Sequence, residues 1–116
     1  MTLIFVTIPS KNYINNHSKK NVIIYIVELN NDSEKFIKIG VTSNLKRRLS
    51  GFLPYIPTIL KTYDGYTFKE AHDIEKYLNK NFNEFKYTPI QDISGKTECY
   101  NIKILKEEKL YEQFKK

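Results

Sequence analysis

Three polar side chains stand in apolar surroundings where they could do chemistry. Tyr25 lies in the most apolar run of the chain, Arg48 lies among leucines, and Glu75 borders the apolar positions of a helical pattern. A tyrosine can position water, an arginine can bind a phosphate through two parallel hydrogen bonds, and a glutamate can hold Mg²⁺. None of these capacities defines a reaction by itself.

Each of these residues also has a purely structural explanation. A phenol in an apolar strand commonly fills space and makes one hydrogen bond. An arginine at the rim of a core can pack its stem there and keep its head group in water. A carboxylate beside a buried stripe needs a cation, a metal ion or water. The chemical interpretation therefore requires that the three side chains meet in one place.

A predicted hairpin carries Tyr25. Residues 22–29 form a nearly continuous β-branched run, which is typical of a strand covered on both faces. Residues 30–34 supply a turn, and residues 36–41 form the returning strand. Alternation places two sets of side chains on opposite faces of this strand, Ile37, Ile39 and Val41 on one and Phe36, Lys38 and Gly40 on the other.

A short helix is predicted from about residue 44 to residue 51 or 52, capped by Thr42 or Ser43. Its apolar stripe consists of Leu45, Leu49 and Phe52. At ~100° per residue, Arg48 lies about 65° from the centre of this stripe and Arg47 about 165° from it. Arg47 should therefore face solvent, and Arg48 should lie along the flank of the sheet.

Glu75 belongs to the strongest predicted helix, residues 68–85, whose apolar residues recur at steps of three and four. Thr67 followed by Glu70 is typical of a capping box at its start. Glu75 borders the apolar stripe of this helix. His72 lies one turn away and is a secondary candidate to support it, although a surface histidine is the simpler explanation.

Other segments complete the predicted order of elements. A third strand is predicted at residues 55–64, a short strand at 97–102 and a terminal helix at 104–114. The segment 1–21 is either an additional N-terminal edge strand or a mobile arm, followed by a loop. Residues 22–116 form the main domain.

Composition restricts the class of protein and its partners. The chain has 116 residues, of which 41% are hydrophobic and 28% charged, as expected for one globular domain. Its net charge of +6 suits a polyanion such as DNA or RNA. Cys99 is the single cysteine, which excludes a disulfide framework, indicates a cytoplasmic, reducing setting and predicts a buried thiol. No run is long enough to cross a membrane.

The chain resembles the GIY-YIG nuclease superfamily. The similarity begins with Ile24-Tyr25-Ile26 and continues with Lys38-Ile39-Gly40, Thr42, Asn44 and Arg48. It includes the helical pattern Ala71, Glu75, Leu78 and Phe82, and ends with Thr97-Glu98-Cys99-Tyr100. The similarity is closest to the virus- and phage-associated branch, where Lys-Ile-Gly can form the second motif, and it covers about residues 22–102.

This resemblance implies a divalent-metal-dependent endonuclease. The implied fold is α+β, a small three-stranded antiparallel sheet flanked by helices. Tyr25 would activate the attacking water, Arg48 would steady charge on the scissile phosphate, and Glu75 would be the single carboxylate ligand of Mg²⁺ or Mn²⁺. Gly40 would let the substrate approach the backbone.

Two positions depart from the family pattern. The first motif lacks its glycine, with Ile23 or Ile24 in its place, and Lys38 replaces the tyrosine of the second motif. A lysine can lower the pKa of a neighbouring phenol, hold a phosphate or act as a base. Either Tyr25 or Lys38 could therefore be the base.

Contacts with nucleic acid are expected from a further set of residues, Lys38, Gly40, Thr42, Asn44, Arg47 and Arg48. Glu98 and Asn101 join His72 as secondary site candidates. DNA is the expected partner and RNA is the alternative. The expected location is the cytoplasm, which includes that of an infected host cell. Two other functions fit the sequence, a catalytically weak nucleic-acid-binding domain of the same fold and a protein-interaction or inhibitor module with a tyrosine-rich surface.

Overall fold

The computed structural model describes residues 21–93 and 95–114, without the side chain of Lys96. Apart from Asn21, the predicted N-terminal strand or arm lies outside these residues. The described strands and helices are β1 Val22–Asn30, β2 Lys35–Thr42, α1 Leu45–Ser50, β3 Ile56–Tyr66, α2 Phe68–Asn81, β4 Cys99–Tyr100 and α3 Glu108–Glu112. Short 3-10 helices lie at Asn83–Phe85, Lys96–Glu98 and Ile102–Lys106.

The sheet within the described residues has four strands in the order β3–β1–β2–β4, and every neighbouring pair is antiparallel. The α+β class is confirmed, but the expectation of three strands is wrong. The fourth is the short strand predicted at 97–102, which pairs Cys99 with Lys38 and Tyr100 with Ile37. It is only two residues long because a 3-10 helix precedes it and another begins at Ile102.

The hairpin of β1 and β2 follows the prediction closely. Its turn is held by Asn31, whose Oδ1 accepts hydrogen bonds from the backbone N–H groups of Ser33 at 2.8 Å and Glu34 at 3.0 Å. The register places Tyr25 directly opposite Gly40. The two faces predicted for the returning strand are also confirmed, since its alternate apolar residues enter two separate core clusters.

Both faces of β1 and β2 are covered, which explains the continuous apolar run of β1. On one face, β1 and β2 pack against α2 and α3 through Ile24, Ile39, Ala71, Leu78 and Leu110. On the other face they pack against α1 and the segment after α2, through Val27, Phe36, Leu49, Phe52 and Tyr87. Burial of each large apolar side chain contributes about 1.5–3 kcal/mol.

Helix α1 is shorter than predicted and has a different cap. It begins at Leu45, and Asn44 is its N-cap, with the side-chain Oδ1 accepting a hydrogen bond from Arg47 N at 3.1 Å. Thr42 and Ser43 are therefore not the cap. Thr42 instead braces the preceding turn, because its hydroxyl accepts from Asn44 N at 3.0 Å and lies 3.1 Å from Asn44 O.

Helix α2 begins as predicted with a complete capping box between Thr67 and Glu70. It ends at Asn81 rather than residue 85, because Phe82 leaves the helical conformation and a 3-10 turn follows. The predicted terminal helix 104–114 is also divided, since 102–106 form a 3-10 helix and only Glu108–Glu112 are α-helical. Strand β3 starts one residue later than predicted and ends two residues later.

Candidate active site

Tyr25 occupies the middle of β1 and is completely buried. An added Cβ at Gly40, its partner on β2, would collide with the phenol, so the glycine makes room for Tyr25. The Tyr25 hydroxyl is buried and has no well-formed hydrogen bond within the described residues, but the Arg48 side chain is close enough to interact with it as a donor. Burial raises the pKa of Tyr25, while the positive charges of Lys38 and Arg48 act in the opposite direction.

Lys38 is a fully buried cation on the same face of the sheet. Its Nζ forms an ion pair with Oε1 of Glu98, which is 24% exposed. The ammonium also lies 5.8 Å from the ring centroids of Tyr25 and Phe52. A buried charge is tolerated only when it is paired, and here the carboxylate and two aromatic faces provide that compensation. The ion pair thus fixes the ammonium beside the phenol.

Gly95 lies against this ion pair, and its lack of a side chain leaves room for the two charged groups. The sequence predicted only a loop at this position. Its φ of +72° lies in the left-handed region. An added Cβ would lie 2.7 Å from Nζ of Lys38 and 3.0 Å from Oε1 of Glu98. A glycine three residues before Glu98 was the available signal, but only the fold shows that its missing side chain accommodates the ion pair.

Glu75 projects from α2 with 16% of its side chain exposed. Burial, a side-chain hydrogen bond with Glu98 and the negative charge of Glu98 raise the pKa of Glu75 to about 8. For Glu98, burial is the largest effect and favours the neutral form, but the charges of Lys38 and Arg48 and the hydrogen bonds with Lys38 and Glu75 together outweigh it and lower the pKa. The two carboxyl groups therefore share one proton near neutral pH, and Glu75 carries it.

The two arginines of α1 face as predicted, Arg47 to solvent and Arg48 partly buried. The positive charge of Arg48 favours the ionised forms of Tyr25, Glu75 and Glu98. Its guanidinium therefore lies among the same groups as Lys38.

Tyr25 and Glu75 share three charged neighbours, Lys38, Arg48 and Glu98. These five residues, called the charge cluster below, come from β1, β2, α1, α2 and the 3-10 helix before β4. The sequence treated Glu98 as a secondary candidate, whereas it is the residue that contacts both Lys38 and Glu75. Tyr25, Arg48 and Glu75 therefore lie within electrostatic range of the same neighbours.

The other predicted site residues differ in their relation to this cluster. Lys38 and Gly40 are both buried, so neither residue is exposed at the surface. His72 is 59% exposed, its Nδ1 lies 3.8 Å from Oε1 of Glu75, and its ring stacks with that of Phe68. Asn101 caps the following 3-10 helix by accepting from Lys103 N at 2.9 Å, an interaction that does not involve the cluster.

Cys99 is buried and unpaired, as expected for a structural thiol. Burial is the largest of the effects that raise its pKa to about 11. A thiol with that pKa is almost entirely protonated at neutral pH and is a poor nucleophile. It therefore contributes packing rather than chemistry.

Among the described residues, no group of three or more His, Cys, Asp or Glu side chains could hold a metal ion. Glu75 and Glu98 provide two carboxyl groups that interact with each other. Mg²⁺ is commonly held by one or two carboxylates together with substrate phosphates and water. The donor set is therefore compatible with that cation when a phosphate is also present.

The fold and the charge cluster define a small mixed α+β domain in which two cations and two carboxyl groups act electrostatically on a buried tyrosine or on one another. The family model of the T5orf172 domain matches residues 22–115, and the chain belongs to this family. It is a phage-associated domain related to GIY-YIG- and HNH-like nuclease folds. Comparisons with curated proteins and with solved structures found no significant match. No helix of the described residues is long and apolar enough to cross a membrane.

Proposed function

We propose that this protein is a divalent-metal-dependent endonuclease that hydrolyses phosphodiester bonds in DNA. The observation that carries the proposal is the charge cluster, in which Tyr25 and Glu75 share Lys38, Arg48 and Glu98 as neighbours. Phosphodiester hydrolysis requires a positioned water molecule, a cation for the phosphate oxygens and stabilisation of the leaving oxygen. The cluster contains a side chain suited to each of these requirements.

Arg48 is the group proposed to bind the scissile phosphate. It is only partly buried, and its planar guanidinium can donate two parallel hydrogen bonds to phosphate oxygens. Lys38 cannot take this part in the described conformation, because its side chain is fully buried and paired with Glu98. Its positive charge instead favours the phenolate of Tyr25, against the larger effect of burial.

Tyr25 is proposed to position the attacking water and to accept its proton. Its hydroxyl has no well-formed hydrogen bond in the described residues, so it retains its capacity to bind a water molecule. The pKa of the phenol is raised by burial, so it is neutral at physiological pH without further positive charge. The positive charges of Lys38 and Arg48 lower the pKa of the phenol but do not outweigh the effect of burial.

Glu75 is the residue proposed to hold Mg²⁺ or Mn²⁺. When bound, such a cation supplies a Lewis acid for the phosphate and the leaving oxygen. Glu75 must lose its proton to act as a ligand, and its pKa of about 8 means that protons compete with the cation at neutral pH.

Supercoiled plasmid incubated with Mg²⁺, Mn²⁺ or a chelator tests this proposal. We expect nicking and linearisation only with the metal ions, and a loss of about 10²–10³-fold in rate for Arg48→Ala or Glu75→Ala. Arg47→Ala is the matched control, because it removes the same charge from the solvent face of α1 and should preserve the rate of the chemical step at saturating DNA. Failure of the wild type to cleave, or equal cleavage by Glu75→Ala, would exclude the proposal. Single-stranded and duplex RNA in the same assay decide the substrate.

A nucleic-acid-binding domain with little catalytic activity is the second candidate. The specific observation in its favour is the complete burial of both Tyr25 and Lys38, which keeps both candidate bases from solvent in the described conformation. This function predicts salt-sensitive DNA binding without metal-dependent turnover. Cleavage by the wild type that Arg48→Ala abolishes, with DNA affinity preserved, would exclude it.

A further inference from the structure

Two aromatic side chains of α2 form an exposed stack. The rings of Phe68 and His72 are parallel to within 6°, and their centroids lie 6.2 Å apart. Phe68 is 39% exposed and the side chain of His72 is 59% exposed, so solvent reaches both rings. Parallel, offset rings at this separation attract each other, which favours one orientation of the pair. The stack therefore presents flat aromatic surface on the outside of the molecule.

This stack leads along the helix to the charge cluster. Phe68, His72 and Glu75 follow one another at steps of four and three, so they lie on one face of α2. Nδ1 of His72 lies 3.8 Å from Oε1 of Glu75. At a rise of ~1.5 Å per residue, His72 precedes Glu75 by only about 4.5 Å along the helix axis. A group that stacks on the rings would thus lie close to a phosphate bound at the charge cluster.

A nucleobase is the ligand that fits both features. Stacking of a base on an aromatic side chain requires only an accessible flat ring, and it tolerates any base. A base is also covalently joined to phosphates, which the net charge of +6 attracts. A base that is paired inside a duplex is already stacked between its neighbours, so only an unpaired or displaced base can reach a ring on the protein. The ligand class is therefore an unpaired nucleotide.

We propose that Phe68 and His72 form a subsite that stacks an unpaired nucleobase next to the phosphate bound at the charge cluster. This inference rests on the proposed function, which places the scissile phosphate at that cluster. Both residues bind the substrate through their rings, and the subsite requires neither a charge nor a proton on His72. Binding of single-stranded nucleic acid should accordingly depend on its bases as well as on its phosphates.

Two labelled oligonucleotides of equal length test the subsite. One is a thymidine oligonucleotide, and the other has the same sugars and phosphates but lacks the bases. Fluorescence anisotropy with the full chain, in a chelator to prevent cleavage, gives both affinities. We expect the wild type to bind the thymidine oligonucleotide about fivefold or more tightly than the abasic one, as for one base–aromatic stack.

Phe68→Leu and His72→Gln remove the rings but keep side chains of similar length. Each should lower the ratio of the two affinities about threefold or more, because the stack on the base is lost while the phosphate contacts remain. A smaller wild-type ratio, or a smaller effect of either variant, would overturn the inference.

Tyr77→Leu is the matched control, because it removes an exposed ring from another side of the same helix. Tyr77 is 41% exposed. At ~100° per residue it lies about 180° from Phe68 and about 140° from His72 around the axis of α2. Its replacement should therefore leave the ratio of affinities within about twofold of the wild type, since it does not share a stack with the same base. A decrease equal to that of Phe68→Leu would assign the base preference to aromatic content in general and overturn the subsite.

His72→Phe separates stacking from the other properties of histidine. The variant keeps an aromatic ring but removes both ring nitrogens, including the Nδ1 near Glu75. We expect it to retain the base preference of the wild type. A loss as large as that of His72→Gln would assign the effect to hydrogen bonding by the imidazole and overturn the stacking assignment.

Plasmid cleavage measured in parallel keeps this inference separate from the proposed function. Metal-dependent cleavage by the wild type, together with a ratio of affinities that Phe68→Leu leaves unchanged, overturns the subsite alone. A base preference that depends on both rings, without cleavage of any nucleic acid, overturns the nuclease alone and leaves a domain that binds unpaired nucleotides.

Discussion

Two glycines near the charge cluster differ in what their missing side chains allow. At Gly40 an added Cβ would collide with the phenol of Tyr25. At Gly51 it would meet only the carbonyl oxygen of Arg48 at 3.4 Å, an ordinary contact. The φ of Gly51 is −86°, a conformation that any residue adopts. The first glycine is thus required by packing against Tyr25, and the second is not.

Gly40→Ala and Gly51→Ala therefore form a matched pair for a stability measurement. We expect Gly40→Ala to lower the free energy of unfolding by about 1–3 kcal/mol, because overpacking must displace the buried phenol. Gly51→Ala should be neutral or stabilising by up to about 1 kcal/mol, because alanine reduces the freedom of the unfolded chain. Urea unfolding followed by circular dichroism measures both. Equal effects of the two substitutions would show that Tyr25 does not need the space at Gly40.

Residue types indicated part of the charge cluster, and the fold supplied the remainder. Tyr25, Arg48 and Glu75 could be selected because each polar group interrupts an apolar pattern. The link through Glu98 could not, since it joins Lys38 to a residue 60 positions later in the chain. Local periodicity contains no distance between such positions. The burial of Lys38 likewise depends on Gly95 and Phe52, which only tertiary packing brings to its Nζ.

At the scale of elements, Glu34 connects the turn between β1 and β2 to Tyr55, which precedes β3, and to the segment after α2. Its carboxylate accepts hydrogen bonds from the hydroxyl groups of Tyr55 and Tyr87 and from the backbone N–H of Ile90 at 3.1 Å. Burial opposes the charged form, but these hydrogen bonds outweigh it and lower the pKa of Glu34 from 4.5. The segment after α2 is thereby attached to the sheet by one ionised side chain.

Glu34→Gln should lower the free energy of unfolding near neutral pH by on the order of 1–2 kcal/mol, because hydrogen bonds to a charged acceptor are stronger than those to an amide. A carboxyl group with a lowered pKa stabilises the fold above its unfolded-state pKa, and that contribution disappears as pH falls through the lower folded-state value. The difference between wild type and variant should therefore shrink below about pH 4.5. Urea unfolding at neutral pH and at about pH 3 measures it.

Asp32→Asn is the control for that prediction, because it makes the same chemical change at an exposed position of the same turn. It should change stability by less than about 0.5 kcal/mol at either pH. A loss equal to that of Glu34→Gln would attribute the effect to the net charge of the turn. The hydrogen bonds to Tyr55 and Tyr87 would then make no specific contribution to the free energy of unfolding.

Elements with strong local signals were predictable, and elements that depend on tertiary contacts were not. The hairpin follows from its continuous β-branched run and its asparagine turn, and the start of α2 follows from its capping box. The ends of helices were misplaced where a chain segment turns to contact another part of the fold. Asn101 N, for example, donates to Phe85 O at 2.6 Å, which links the start of the last 3-10 helix to the turn after α2. Such contacts redirect the chain without leaving a periodic pattern.

At the scale of the whole molecule, the net charge of +6 is the main source of attraction to a polyanion. The charges inside the cluster cancel only in part, because two cations face two carboxyl groups that share one proton and so carry one negative charge. Most of the net positive charge therefore lies outside the cluster, on exposed residues such as Arg47, whereas Arg48 is the residue proposed to contact the scissile phosphate. Binding and cleavage should accordingly depend on different arginines of the same helix.

Arg47→Ala should therefore weaken DNA binding without changing the chemical step. Each phosphate contact that is lost reduces the slope of log affinity against log salt by about 0.9. Fluorescence anisotropy with a short labelled duplex, in a chelator to prevent cleavage, gives this slope. Lys35→Ala removes the same charge at the far end of β2, next to the hairpin turn, and should leave the slope unchanged if DNA binds at the charge cluster. An equal decrease of the slope for both variants would show that DNA binding depends on net charge alone. It would contradict binding at the face that carries Arg48.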